Sequence, residues 1–181
     1  AVAYLVVLDG TYYFKTHYYL PESALKDKAD KELYKYWKQQ EYLTVTSGNV
    51  TDYDYITTDM LRYADVVNIQ SVGYDKYNAT QWAIDSTEQG LPLEEYPQTL
   101  GNFNMPTREL ERLILSGKAV IDNNEINRYC FRNVTLKSDY NGNVKPNKAV
   151  DKKKIDGTIA MIQALGMYLR TPHYTNEILT I

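Results

Sequence analysis

Two aspartates that lie far apart in the chain carry the strongest chemical signal in this sequence. Asp156 stands in the segment Lys154-Ile155-Asp156-Gly157, directly before an apolar, helix-patterned run from Thr158 to Leu169. Asp75 ends the strand-like run from Val66 to Tyr74. An acid that begins a helix packed on a sheet and an acid at the carboxyl end of a strand can meet at one edge of that sheet and share a cation. The pair predicts metal-dependent phosphodiester chemistry.

Each aspartate also has an ordinary structural interpretation when it is taken alone. Asp75 could be a turn acid that caps the helix predicted to begin near Asn78. Asp156 could be a first-turn acid stabilised by the helix dipole. The small residues Gly157, Ala160 and Ala164 favour the site interpretation of Asp156, because they let its helix lie close to a sheet. Asp122, where a predicted strand meets a helix, is a possible site neighbour.

The types of candidate ligand indicate which cation such a site would hold. Two-metal hydrolysis needs several acids that keep two cations about 3.5–4 Å apart. Ligation by oxygen alone favours Mg²⁺ or Mn²⁺. His17 and His173 are too isolated in the sequence to predict a zinc site. No Gly-x-x-x-x-Gly-Lys-[Ser/Thr] loop is present, so the chain is not predicted to be an ATP-driven motor by itself.

The charge is unevenly distributed along the chain. The formal net charge is −3, yet the stretch from Arg128 to Lys154 holds eight basic residues against two acids. A cluster of this kind can hold nucleic-acid phosphates, although a run of lysines is more often a solvated surface. The predicted DNA-binding residues are Lys137, Lys145, Lys148, Lys152, Lys153 and Lys154.

Size and composition indicate one ordinary globular domain. The 181 residues are 44% hydrophobic, which is enough for a single core. The apolar run Ala1 to Leu8 is too short to span a bilayer and lacks the features of a signal peptide, so no membrane contact is expected. The lone Cys130 has no partner for a disulfide, which favours a buried thiol in a reducing cytoplasm. The 18 tyrosines are expected to be mostly half-buried.

Local patterns predict an α/β domain in which strands alternate with helices. A strand pair joined at Asp9-Gly10 leads into a polar helix, and a strand, helix and strand over residues 66–98 predict a parallel βαβ unit. Asn141-Gly142 predicts a hairpin. The other predicted elements are helices over 24–41, from Asp52 through Tyr63, from Pro106 to Ser116, over 123–132 and over 155–169, and strands at 44–46 and 119–121.

With these residues in view, the chain resembles the nuclease domain of the large terminase subunit of tailed bacteriophages. The resemblance lies in an ordered set of segments that covers nearly the whole chain, and no single segment decides it. The matching segments are Tyr18 to Glu22, Gly48 to Ile56, Gly73 to Ala79, Arg108 to Ile114, the hairpin region Asn133 to Lys148, and Lys154 to Ala160.

The resemblance implies a ribonuclease-H-like mixed β-sheet flanked by helices, with the nuclease domain over residues 1–170 and a tail over 171–181. It implies an endonuclease that cuts concatemeric viral DNA during genome packaging with two Mg²⁺ or Mn²⁺ ions. Asp75 and Asp156 would be catalytic metal ligands, with Asp122 nearby. The expected partners are double-stranded viral DNA, the ATPase portion of the same subunit, the small terminase subunit and the portal, in the cytoplasm of the bacterial host.

One part of the family pattern is missing from this sequence. The first catalytic acid normally lies on an initial strand just before the strand that begins here at Ala1, and no such segment is present. We therefore expect a truncated nuclease domain with weak or no activity, in which Asp9 does not take the missing role. Two other interpretations stay open: another ribonuclease-H-like nuclease of the resolvase or integrase type, and a non-catalytic DNA-binding or assembly module.

Overall fold

The computed structural model describes residues 1–27, 30–77, 79–151 and 153–171, where strands and helices alternate along the chain. The strands are β1 Val2–Leu8, β2 Thr11–His17, β3 Tyr19–Pro21, β4 Thr44–Thr46, β5 Val72–Tyr74, β6 Leu93–Glu95, β7 Ala119–Ile121, β8 Val134–Ser138 and β9 Val144–Lys148. The helices are α1 Ala24–Asp27, α2 Lys31–Gln39, α3 Tyr53–Ala64, α4 Thr80–Glu88, α5 Leu100–Leu115, α6 Glu125–Arg132 and α7 Asp156–Arg170.

The first hairpin forms the largest sheet together with β7. β1 pairs with β2 in antiparallel register, and β2 pairs with β7 in parallel register. The connecting turn places Asp9 at φ 49° and Gly10 at φ 71°, which is the combination that a two-residue type I′ hairpin requires. The predicted hairpin turn is therefore confirmed.

Three two-stranded ladders complete the strand pairing in the described residues. β3 and β4 are parallel, β5 and β6 are parallel, and β8 and β9 form an antiparallel hairpin. The unit β5-α4-β6 confirms the predicted parallel βαβ arrangement, and the β8–β9 hairpin confirms the Asn-Gly prediction. Helix α7 confirms the predicted final helix to within one residue at each end.

Helix α7 packs along one face of the strands and α3 packs along the other. On the α7 side, Met161, Ile162 and Leu165 are buried with Phe14 of β2 and with residues of α5. On the α3 side, Ile56 and Met60 form a cluster that includes Val2 and Tyr4 of β1 and Val72 of β5. Strands β1 and β5 thus lie between the same two helices.

The strand pairing of β1 and β5 bears on the completeness of the sheet. In the described part of the chain, β1 pairs only with β2, and β5 pairs only with β6. Each strand therefore keeps one edge without a strand partner. Helix α7 contacts both strands, so β1 and β5 lie against the same helix.

The prediction that Pro106 begins a helix is wrong. Helix α5 begins at Leu100, and Thr99 caps it by accepting a hydrogen bond from the Asn102 amide. Pro106 lies inside the helix, where it cannot donate to the Asn102 carbonyl. That carbonyl accepts the hydroxyl of the buried Tyr96 at 2.7 Å instead. A distant side chain thus satisfies the group that the proline leaves open.

Three other predicted elements are shorter than expected. The helix predicted over 24–41 is two helices, α1 and α2. The strand predicted over 66–74 is reduced to β5, because the Val66 and Val67 amides bond to the Tyr63 carbonyl and end α3. The strand predicted from Thr11 to Leu20 divides into β2 and β3 at Tyr18. The predicted helix cap Asn78, His173 and the predicted tail beyond Thr171 lie outside the described residues.

Candidate active-site cleft

Asp156 is the first residue of α7 and lies on an open cleft of about 540 Å³. Its side chain is exposed, and no hydrogen bond to its carboxylate is formed by the described residues. The polar side chains of the cleft are Gln98, Lys145, Asn147, Lys148, Asp156 and Gln163. The amide nitrogen of Gln163, two turns along α7 from Asp156, is buried there without a hydrogen-bond acceptor among these residues.

Gly157 sets the depth at which α7 begins. A Cβ atom at this position would overlap the hydroxyl of Tyr18, which is buried at the junction of β2 and β3. The Tyr18 hydroxyl donates to Oδ1 of Asn127 at 2.6 Å, and burial raises the pKa of Tyr18, so the phenol stays protonated. The small residue that the sequence placed beside Asp156 is therefore needed for close packing.

Asp75 lies directly after β5, beside the same cleft. Its Oδ1 accepts the Tyr77 amide at 3.1 Å, and its Oδ2 accepts the side-chain amide of Gln98 at 2.6 Å. Gln98 is itself part of the cleft wall. One hydrogen-bonded side chain thus joins Asp75 to the cleft on which Asp156 lies.

The predicted DNA-binding lysines are divided between the cleft and other surfaces. Lys145 and Lys148 of β9 line the cleft, and the Lys145 ammonium donates to the Gln98 carbonyl at 2.8 Å. Lys153 points elsewhere, because its ammonium is 3.9 Å from Oδ1 of Asp30 and 5.7 Å from the ring centre of Tyr129. Lys137 and Lys154 are exposed outside the cleft lining. Lys152 lies outside the described residues.

A family model for the terminase large subunit endonuclease domain matches residues 1–171. The chain belongs to this family. It is 32% identical over 175 residues to protein YmfN of Escherichia coli strain K12, which covers 88% of this chain and 37% of YmfN. It is 26% identical over 162 residues to the terminase large subunit of Enterobacteria phage HK97, covering 87% of this chain and 32% of that protein. The chain thus spans about a third of the length of these relatives.

Two solved structures show the same fold as this terminase nuclease domain. The crystal structure of the HK97 large terminase superposes with a TM-score of 0.79 at 25% identity, over 89% of this chain and 34% of that one. The large terminase nuclease of the thermophilic phage G20c superposes with a TM-score of 0.52 at 13% identity, over 69% and 66% of the two chains, and supports the fold alone. The predicted ribonuclease-H-like α/β fold is confirmed.

Asp122, the possible site neighbour, is held by the domain's own donors. Its Oδ1 accepts the Thr16 amide at 3.1 Å and the Asn127 side-chain amide at 2.8 Å, and the Thr16 hydroxyl lies 3.0 Å away. Asn127 also accepts the hydroxyl of Tyr18, which packs on Gly157. Asp122 therefore reaches the start of α7 through a chain of hydrogen bonds and is not part of the cleft lining.

Gln98 and Gln163 are two of the cleft residues that sequence analysis did not identify. Both are neutral amides, and their roles depend on contacts between elements that are distant in the chain. No local pattern distinguishes them from other glutamines. Cys130 is buried as predicted, and burial raises the pKa of its thiol.

Asp156 lines the cleft and Asp75 is hydrogen-bonded to Gln98 of its wall, so these two carboxylates are the candidate donors for a cation. Asp75 and Asp156 supply carboxylate oxygen, the donor that Mg²⁺ and Mn²⁺ prefer. Within the described residues, no group of three or more His, Cys, Asp or Glu side chains is close enough together to hold a metal ion. The two aspartates can thus supply part of a cation site. None of the helices in the described ranges combines the length and apolar character needed to cross a bilayer.

Proposed function

We propose that this domain is an Mg²⁺- or Mn²⁺-dependent DNA endonuclease that cuts concatemeric viral DNA by two-metal-ion phosphodiester hydrolysis. The observation that carries the proposal is the cleft itself, where Asp156 lies with two lysines and Asp75 is attached through Gln98. The nuclease family to which the chain belongs supports the same conclusion.

The charges of the cleft residues suit this chemistry. Asp75 and Asp156 would hold the cations, which, when bound, supply an activated water and stabilise the leaving oxygen. The Lys145 and Lys148 ammonium groups on β9 would attract the DNA backbone to the same cleft, because lysines bind phosphates with release of counterions. We assign Lys137, Lys153 and Lys154 to DNA-backbone contacts more distant from the cleft, and Asp122 to support of the α7 start. We also propose Lys152 as a DNA-binding residue.

The wider context follows from family membership as a proposal. The large terminase subunit of phage HK97 is about three times as long as the matched part. We propose that this nuclease domain works with an ATPase portion of the same subunit, with a small terminase subunit and with a portal. Its substrate would be double-stranded viral DNA in the cytoplasm of the bacterial host.

We also propose that the active sheet takes one more strand, between β1 and β5, and that this strand carries a further catalytic acid. The support is geometric, since β1 and β5 each keep an unpaired edge in the described residues and both contact α7. An acid on that strand would add a ligand to the candidate cation site, for which the described residues provide no group of three or more possible ligands. The 181-residue chain is therefore expected to cut weakly or not at all.

Cleavage of supercoiled plasmid in Mg²⁺ or Mn²⁺ tests both proposals. An N-terminally extended version should cut, and Asp75→Ala or Asp156→Ala in it should reduce the rate by about 100-fold or more, since even outer partners of metal ligands cost about 10–100-fold. Asp85→Ala, on the exposed face of α4, is the matched control and should retain full activity. Undiminished cutting by both cleft variants would contradict the metal-site assignment. Robust cutting by the 181-residue chain would contradict the missing strand.

The choice of DNA substrate and the strength of DNA binding separate the alternatives. A resolvase should prefer a four-way junction over plasmid when the two are offered together. A non-catalytic DNA-binding module should bind DNA equally well in the Asp75→Ala and Asp156→Ala variants while no metal-dependent cutting appears in any version.

A further inference from the structure

We propose that Gln98 is a positioning residue for Asp75, and that Lys145 of the β8–β9 hairpin fixes Gln98 in turn. The hairpin would thereby set the orientation of a carboxylate on another element. This inference rests on the proposed function, because it concerns the cation affinity of the same cleft.

Two hydrogen bonds, one of them from Gln98, orient the Asp75 carboxylate. The Gln98 amide donates to Oδ2 at 2.6 Å while the Tyr77 backbone donates to Oδ1 at 3.1 Å. Two donors on opposite oxygens fix the plane of the carboxylate. Each carboxylate oxygen has lone pairs beyond the one used, so both can still bind a cation. Carboxylates that bind metals are commonly held by hydrogen bonds in this way.

Hydrogen bonds of the surrounding backbone fix the position of Gln98. This residue lies in the short connection between β6 and α5, where the Pro97 carbonyl accepts the Asn102 side chain at 2.8 Å and Thr99 caps α5. The Gln98 carbonyl accepts the Lys145 ammonium at 2.8 Å. The backbone on both sides of Gln98 is therefore fixed, and its exposed side chain is directed at Asp75.

Lys145 links this arrangement to the β8–β9 hairpin. Lys145 also lies 5.9 Å from the ring centre of Phe103, so its stem is packed between α5 and the cleft. Its ammonium has three donors and can hold the Gln98 carbonyl and a phosphate oxygen together. A DNA phosphate that binds Lys145 would meet a lysine already connected, through Gln98, to a cation ligand.

Binding of Mn²⁺ to the N-terminally extended version, which would supply the proposed further acid, tests the inference without relying on nuclease activity. Free Mn²⁺ is followed by electron paramagnetic resonance during a titration. Gln98→Met keeps the length of the side chain and removes the donor, and it should weaken Mn²⁺ binding by about tenfold. The control is Gln81→Met, because Gln81 makes a similar exposed bond to Asp85, at 2.8 Å on α4, and its loss should leave the affinity unchanged.

A double-variant cycle distinguishes positioning from a general structural effect. If Gln98 acts through Asp75, Gln98→Met should cause no further loss of Mn²⁺ affinity in an Asp75→Asn background, whereas independent effects would add. Lys145→Met should weaken binding in the same direction and by less than Gln98→Met. If Gln98→Met fails to fold by circular dichroism, Gln98→Asn, whose amide is one methylene too short, replaces it with the same expectation.

Each outcome has a defined meaning. Wild-type affinity in a folded Gln98→Met variant, with weaker binding in Asp75→Asn, would overturn the positioning role and leave the proposed function intact. Additive losses in the double variant would also overturn it. An N-terminally extended version without substitutions that binds no Mn²⁺ would overturn the proposed cation site, and this inference with it.

Discussion

The two faces of the sheet present carboxylates in opposite surroundings. On the cleft side, Asp156 is exposed beside Lys145 and Lys148, and the described residues donate no hydrogen bond to it. On the α3 side, Asp59 accepts the Tyr19 hydroxyl and lies 3.2 Å from Nδ1 of His17. The first carboxylate is available to a ligand, while the second is already occupied by its own protein. Position relative to the cleft distinguishes the candidate site from the structural cluster, since Asp75 is also hydrogen-bonded but is joined to the cleft through Gln98.

The Asp59 cluster shows why a histidine beside an aspartate does not by itself indicate catalysis. The other ring nitrogen of His17, Nε2, is 2.9 Å from the Tyr63 hydroxyl, so both nitrogens are engaged. The Tyr4 ring packs against Tyr63 with 4.6 Å between ring centres, and burial raises the pKa of Tyr4. These side chains join β1, β2 and β3 to α3, and the cluster engages both ring nitrogens of His17.

The largest stability effect is expected at Gly157, where an added Cβ atom would overlap Tyr18. This glycine also lets α7 begin where Asp156 reaches the cleft. Gly157→Ala should lower the free energy of unfolding by about 2–3 kcal/mol, since its methyl group would overlap a buried tyrosine hydroxyl that is held by Asn127. Urea unfolding of the variant measures this. Gly101→Ala in α5, where an added Cβ meets nothing within 4 Å, should stabilise by up to about 1 kcal/mol. Equal stability of the two variants would contradict the packing argument.

Removing the carboxylate of the occupied cluster should cost less. Asp59→Ala leaves His17 and Tyr19 without their acceptor and should lower the free energy of unfolding by about 1–2 kcal/mol. Asp85→Ala on exposed α4 is the control, expected within about 0.5 kcal/mol of wild type. Thermal and urea unfolding measure the difference.

The Asp59→Ala variant also tests the difference between the two faces of the sheet. Mn²⁺ affinity should be unaltered in Asp59→Ala, because Asp59 lies on the α3 side of the sheet and is not among the residues that line the cleft. Loss of Mn²⁺ binding with unchanged stability would mean that Asp59 belongs to the functional site, and the distinction between the faces would fail.

The fold was predictable where the determining contacts are local. Asp9-Gly10 and Asn141-Gly142 specify their turns by backbone conformation, and the apolar spacing after Asp156 specifies α7. The prediction failed where a distant group decides. Pro106 fits inside α5 only because the Tyr96 hydroxyl binds the carbonyl that the proline leaves open.

The positions of the two candidate acids were predictable, and those of the other residues at the cleft were less so. Asp75 and Asp156 were found from their places at a strand end and a helix start, together with the family resemblance. Of the predicted lysines, Lys145 and Lys148 line the cleft because of how the hairpin is docked. Arg108 bonds to the Gly142 carbonyl at 2.7 Å, and Asn104 accepts the Val144 amide at 2.9 Å. These contacts with α5 leave no trace in the charge pattern.

The smallest effect is expected for the pH response at Asp139. This residue is exposed, as Asp156 is, but its carboxylate accepts hydrogen bonds from its own hairpin turn. Hydrogen bonds from the Asn143 side chain and backbone and from the Asn141 backbone hold the pKa of Asp139 below its usual value. The turn should therefore keep these bonds above the unfolded pKa and lose them as the pH falls through the lowered one.

Amide chemical shifts of Asn141 and Asn143, followed by NMR during acid titration, should change with a midpoint below about 3.9. Asp139→Asn should abolish that titration. A midpoint at or above the ordinary aspartate value would mean that the turn does not hold this carboxylate. Asp139 and Asp156 would then both be exposed acids that the protein's own donors do not hold. Asp139 would no longer illustrate the contrast between hydrogen-bonded and open carboxylates.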